Sequence, residues 1–248
     1  MNLARLPVSP PYPPARRHAA RAGLAMGPAV GACLPEGALP LGVLHEIEPA
    51  GGAEVQHGAA VAGFAARVLA RLPEGKPWLW VAGREDLYAP GLVACGLDPG
   101  RLVLAGARDD AAVLAAMEAG LRGGAFAAVV GEAGRLTRLA ARRLQMACLR
   151  HGSTGLLLHR WPYGRGAGVA EEAPAAVTRW RIAPVAGSVT AGAGGFGPPR
   201  WRLELLHARG GVPGEWIVEA GERDAPDLVR VVAELGDAAP AAQRRGVG

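Results

Sequence analysis

Three short runs, Trp78–Ala82 (WLWVA), Phe126–Val130 (FAAVV) and Gly155–His159 (GLLLH), are apolar along almost their whole length. A strand with one wet face alternates apolar and polar residues. A continuous apolar run is buried on both faces, the situation of a parallel strand with helices above and below it. Helical spacing appears between these runs. From His57 to Leu72, apolar Ala60, Val61, Phe64, Ala65, Val68, Leu69 and Leu72 recur at intervals of three and four. Tyr88–Cys95, Asp109–Arg122 and Arg135–Arg150 read as further helices, and Val43–Glu48 and Arg101–Ala105 as further strands. Repeated strand–helix–strand units predict an α/β fold with a parallel central sheet flanked by helices.

Past residue 160 the pattern changes. Val177–Ile182, Trp201–Leu206 and Trp216–Glu219 are strand-like and separated by Gly/Pro loops, which predicts antiparallel additions at the sheet edge. Pro226–Leu235 reads as a last short helix, with disorder from Gly236 onward. Residues 1–22 form a Pro/Arg-rich arm without periodicity. The expected organisation is an arm (1–22), one domain (23–220) and a partly disordered tail (221–248). A chain of 248 residues that is 50% hydrophobic can bury one substantial core.

The formal charge of +5 is modest for polyanion binding. Cys33, Cys95 and Cys148 are widely spaced and form no C-x-x-C pair, so neither a disulfide frame nor a zinc site is indicated. A reducing cytoplasm suits such a chain. Arg16, Arg17 and Arg21 precede an apolar stretch from Leu24 to Leu34. Prolines fill the basic region, and Gly27 and Pro28 interrupt the apolar run, against a cleaved signal. No segment approaches the roughly 18 apolar residues of a membrane span.

A strand, a glycine-containing loop and a helix beginning at Val43 have the layout of a phosphate-binding loop. That chemistry demands G-x-x-x-x-G-K-[ST]: backbone amides cradle the phosphates, lysine neutralises them and a hydroxyl holds magnesium. Here the segment runs Glu48, Pro49, Ala50, Gly51, Gly52, Ala53, Glu54, Val55, Gln56, with no lysine and no Ser or Thr. Glu54 would oppose a phosphate, by on the order of 4 kcal/mol per unit charge at about 4 Å and an effective dielectric near 20. Lys76 is the only lysine in the chain. The sequence therefore predicts no cofactor, no metal and no catalytic residue. His45 and Glu46 are neighbours on one strand and point to opposite faces, which argues against a joint catalytic role.

The run LPEGALPLGVLHEIEPAGG resembles the start of the RecA core, where a similar strand leads into the phosphate loop. Aligned without gaps, the RecA lysine position falls on Val55 and its threonine on Gln56. WLWVAGREDLYAPGLVACGLD resembles the second strand and following helix, with Arg84 at the water-activating glutamate. FAAVVGEAGRLT resembles the strand bearing the second metal-site aspartate, with Gly131 in its place. LPLGVLHEI, LYAPGL, CGLDPGRL, AAVVGE, RRLQMA, GLLLHRW, TRWRIA and PRWRLELLHARGGVPGEW resemble, in order, the ImuA family, which is RecA-like and lacks ATPase motifs. The match covers about residues 24 to 220.

The resemblance implies a single RecA-like core without Walker motifs and a non-catalytic role in SOS-induced translesion synthesis. The partners it implies are an ImuB-like protein and an error-prone polymerase, with RecA a further candidate and DNA contacted directly or through them. Two rival readings remain open: a SulA-like division inhibitor that binds FtsZ, and an atypical ATP-binding RecA paralogue.

Two surfaces are candidates for binding. On a helix from 135 to 150, Arg135, Arg138, Arg142, Arg143 and Arg150 span an arc of about 140°, opposite Leu136, Ala140, Leu144, Ala147 and Cys148. Such a face is either a solvated surface or a contact for DNA phosphates or an acidic partner. The loop carrying Arg160, Trp161, Tyr163 and Arg165 follows a buried strand at the sheet's carboxyl edge, where open α/β sheets place their sites. Its rings either stack on a partner or cover the core edge.

Overall fold

A computed structural model describes residues 23–50, 54–84, 86–134, 136–160, 175–187, 197–222 and 225–235. The expected arm (1–22) and the chain from 236 onward lie outside the described residues. The first described residues form a small antiparallel hairpin of β1 (Gly23–Ala25) and β2 (Ala38–Pro40), with a single helical turn α1 (Pro28–Gly31) between them.

The remaining strands make one nine-stranded sheet. In chain order it is built from β3 (Leu44–Pro49), α2 (Glu54–Ala70), β4 (Trp78–Ala82), α3 (Ala89–Ala94), β5 (Leu102–Gly106), α4 (Asp110–Gly123), β6 (Ala128–Glu132), α5 (Arg138–His151), β7 (Thr154–Leu158), β8 (Thr178–Val185), β9 (Arg200–Ala208), β10 (Gly214–Ala220) and β11 (Val229–Glu234). Across the sheet the order is β11-β10-β9-β8-β3-β7-β6-β4-β5. From β8 to β5 every pairing is parallel. From β8 to β11 every pairing is antiparallel. The fold is α/β, with a large, mostly parallel central sheet and an antiparallel wing.

Helices cover both faces of the parallel half. Val61, Phe64, Val68 and Leu69 of α2 bury against Trp78, Trp80, Trp180 and Trp201, and the Phe64 ring lies 6.1 Å from both the Trp180 and the Trp201 rings. On the other face, Val113, Met117 and Leu121 of α4 and Leu144 and Cys148 of α5 pack on Leu44, Leu79, Val129 and Leu157. Asp109 and Thr137 cap the two helices at their starts, accepting from Ala112 and Ala140 amides. Gly124 and Gly152, at φ 65° and 74°, end them in the left-handed conformation that glycine adopts without strain.

Three expectations are corrected. Val177–Ile182 was expected to be antiparallel; β8 is antiparallel to β9 but parallel to β3. Its alternating burial reports one covered face, which is silent about strand direction. Pro226–Leu235 was expected to be a helix; residues 229–234 are instead a strand paired with β10. Val229, Val231 and Val232 are β-branched and suit a pleated edge. The loop expected over Pro49–Gln56 is shorter, because α2 already begins at Glu54.

The outer face of the wing is laced with ion pairs, all but Arg202–Glu204 running between strands. Arg181 pairs with Glu48 and Glu204, Arg202 with Glu204 and Glu215, and Glu219 with Arg200 and Arg230.

A buried polar chain joins β3 to β8. The Trp180 indole N–H donates to Thr178 Oγ1 (2.7 Å), which lies 2.7 Å from His45 Nδ1, and His45 Nε2 lies 2.9 Å from the Pro40 carbonyl. A neutral ring that donates from Nε2 and accepts at Nδ1 satisfies every atom. Burial lowers the His45 pKa from 6.5 to about 4. The unfolded ring takes a proton near 6.5 and the folded ring resists it. The contribution is therefore present above pH 6.5 and is lost as the pH falls towards 4. The shift corresponds to roughly 3 kcal/mol. We expect urea midpoints to fall more steeply between pH 7 and 5 for the native chain than for His45→Gln. Equal slopes would show that His45 does not carry this acid sensitivity.

Candidate functional site

At the carboxyl edge of the parallel strands, the sequence placed a nucleotide site stripped of its chemistry. Pro49 ends β3, and the Ala50 amide donates to the Ile182 carbonyl. Gly51 and Gly52 lie outside the described residues. Glu54, Val55 and Gln56 form the first turn of α2. His57, in the same turn, donates from Nδ1 to the Ala50 carbonyl at 2.7 Å and so ties the helix to the end of β3.

A largely covered arginine occupies the space beside this turn. The Arg160 guanidinium, just past β7, donates to Glu132 Oε1 at 2.7 Å and to Asp86 Oδ2 at 3.1 Å. The same Glu132 oxygen accepts from the Trp80 indole at 2.8 Å. The arginine side chain is 13% exposed and the glutamate 5%. Gly58 makes this approach possible: a Cβ there would lie 3.3 Å from Arg160 Nε. Burial pushes the Glu132 carboxyl above its usual range, against the pull of Arg160 and the indole. Arg84 is exposed and lies 3.9 Å from Asp86. Among the described residues, two arginines thus face two carboxylates, and their charges offset one another.

Gly131 of β6, at the position expected for a metal-site aspartate, faces the other side of the sheet. Met117 fills its space, with Sδ 2.0 Å from where a Cβ would stand. Among the described residues, no group of His, Cys, Asp or Glu side chains could hold a metal ion.

A second buried cluster sits on β3. Glu46, 1% exposed, accepts from Arg179 Nη2 at 2.8 Å and Nε at 3.2 Å, with His159 Nε2 at 3.4 Å. Burial alone would raise its carboxyl, but His159 and Arg179 hold it below its usual value. His45 points the other way, so the two neighbours share no site.

The arginine-bearing helix is shorter than expected. The Thr137 cap starts α5 at Arg138, and Arg135 lies outside the described residues. Arg138, Arg142, Arg143 and Arg150 are exposed on it. Among the described residues, Arg142 and Arg150 make no hydrogen bond or ion pair, whereas Arg143 pairs with Glu118 of α4 at 2.7 Å. Sequence reasoning missed three apolar side chains on the same face: Leu139 is 70% exposed, Met146 60% and Leu149 37%. Their spacing of seven and three residues carried the signal. With Glu118 and Arg122 of α4 they border a groove of about 770 Å³. Trp161, Tyr163 and Arg165, the rest of the second candidate surface, lie outside the described residues. No helix among the described residues is long and apolar enough to cross a membrane.

No family model matches the chain. SulA from Pseudomonas aeruginosa, a solved structure, is 26% identical over 46% of this chain and 95% of its own, with a TM-score of 0.38, too low to carry an argument. Protein ImuA from Caulobacter vibrioides, in strain NA1000/CB15N and in strain ATCC 19089/CB 15, is 42% identical over 225 residues, spanning 88% of this chain and 92% of each relative. At that identity and coverage, the chain belongs to the ImuA family.

Proposed function

We propose that the protein is a non-catalytic accessory factor of DNA-damage-induced mutagenesis. In this reading it works by binding partners on a RecA-like core whose nucleotide site has closed. Its partners are an ImuB-like protein and an error-prone polymerase, in the cytoplasm, with DNA reached directly or through them. Family membership supports the pathway. The observation that carries the non-catalytic part is the Arg160–Glu132–Asp86 cluster. A guanidinium lies against the first turns of α2, and two carboxylates offset its charge. The β3–α2 connection also offers neither lysine nor hydroxyl. Phosphoryl transfer requires charge neutralisation and metal positioning, and that connection carries neither the lysine nor the hydroxyl that a phosphate-binding loop uses for them.

Affinity purification of the tagged full chain from damage-induced cells should recover the ImuB-like protein and the polymerase. Titration with ATP and magnesium should give no saturable binding and no turnover. Saturable hydrolysis, lost on Arg84→Ala, would establish the rival ATP-dependent reading. Recovery of neither partner would remove the proposed pathway.

A further inference from the structure

We propose that the exposed face of α5, with its groove against α4, is the docking site for an acidic amphipathic helix of a partner protein. The inference rests on the adaptor reading and specifies its surface. Leu139, Arg142, Arg143, Met146, Leu149 and Arg150 share one side of the helix, because their spacings of three, four, seven and eleven return to nearly the same angle. Leu139 and Met146 lie along the middle of this stripe and are the two most exposed aliphatic side chains of α5. Apolar groups so exposed and adjacent on one helix mark an interaction surface. Methionine adapts its shape to partners of varied sequence.

The charge selects the occupant. Glu118 pairs with Arg143 and Arg122, while Arg142 and Arg150 have no counter-charge among the described residues. The groove therefore presents an apolar centre with cationic flanks. A DNA backbone would satisfy the arginines and leave the leucines and methionine without apolar partners. A helix with leucine-type residues along its centre and carboxylates beside them satisfies both. The 14 residues of α5 give an axis of about 21 Å, matching a partner helix of roughly four turns.

The test uses the full-length chain and three fluorescent probes: a 16-residue peptide with Leu at i, i+3, i+4, i+7 and Glu on the flanks, the same residues scrambled, and a 20-base-pair duplex. Anisotropy should show saturable binding of the amphipathic peptide, weakened by salt, with the scrambled peptide at least tenfold weaker. Leu139→Ser/Met146→Ser and Arg142→Glu/Arg150→Glu should each lose at least tenfold, with unchanged circular dichroism, since all four side chains are exposed. Equal binding of both peptides, binding of neither, or preference for the duplex unaffected by Leu139→Ser/Met146→Ser would overturn the assignment. If the peptide fails while the ImuB-like protein still co-purifies, the adaptor reading survives and this surface falls. If the peptide binds while co-purification fails, the reverse holds.

Discussion

Replacing Arg160 with alanine is expected to destabilise the protein by about 3–5 kcal/mol, the range for removing one partner of a buried ion pair. The variant strands the nearly inaccessible Glu132 with only the Trp80 indole as donor. The lost packing of the guanidinium over Gly58 adds to the effect. Glu132 is already raised by burial in the native protein, and losing the guanidinium raises it further. A carboxyl whose folded pKa lies above its unfolded value binds its proton more tightly when folded. Stability is then lost as pH rises through the window between the two values, so the deficit of Arg160→Ala should shrink in acid. Adding Glu132→Gln removes the stranded charge and keeps an acceptor for Trp80, so the double variant should recover most of the loss. Urea denaturation at pH 7 and 5 provides the check. A single-variant loss under about 1 kcal/mol at pH 7 would mean that water already hydrates the glutamate.

Introducing an aspartate at position 131 should cost at least about 4 kcal/mol and gain no nucleotide binding. The new Cβ would stand 2.0 Å from Met117 Sδ and 3.1 Å from Val113 Cγ1. Met117 is fully buried, in one core cluster with Val113 and Leu121. Overpacking of this kind costs about 1–3 kcal/mol, and an unpaired carboxylate among Val113, Met117 and Leu121 adds several more. Gly131→Ala isolates the steric part, and Met117→Ala added to it should relieve the collision. Thermal melting of the variants, with soluble yield for Gly131→Asp, decides the matter. A Gly131→Asp protein within about 1 kcal/mol of the native one would show that the α4–β6 packing is looser than it looks. Position 131 thus has no room for a carboxylate, on a face of the sheet turned away from Arg160.

The parallel strands were legible because burial on both faces leaves an unmistakable apolar run, as at Trp78–Ala82 and Leu156–Leu158. Direction was not legible in β8. Its alternation of Trp180 and Ile182 with Arg179 and Arg181 reflects the uncovered outer face of the wing, and its parallel pairing with β3 depends on contacts more than a hundred residues distant. The site shows the same divide. That residues 49–56 contain no lysine and no hydroxyl could be read locally. The Arg160 cluster could not, because its carboxylates lie 28 and 74 residues upstream and meet only across three strand ends. On α5, the arginines drew attention to the right helix. Leu139 and Met146 were visible in the same periodicity, but the exposed face was read from its charges alone.

The place of β3 in the middle of the sheet also governs how the chain must be made. Its two neighbours are β7 and β8, and the His45–Thr178 contact spans 133 residues. At bacterial synthesis rates, the gap between emergence of the two residues is on the order of ten seconds. Until β7 emerges, the nascent chain carries a strand with neither hydrogen-bonding flank occupied, and until β8 follows, one flank stays open, the kind of unpaired edge against which chaperones act.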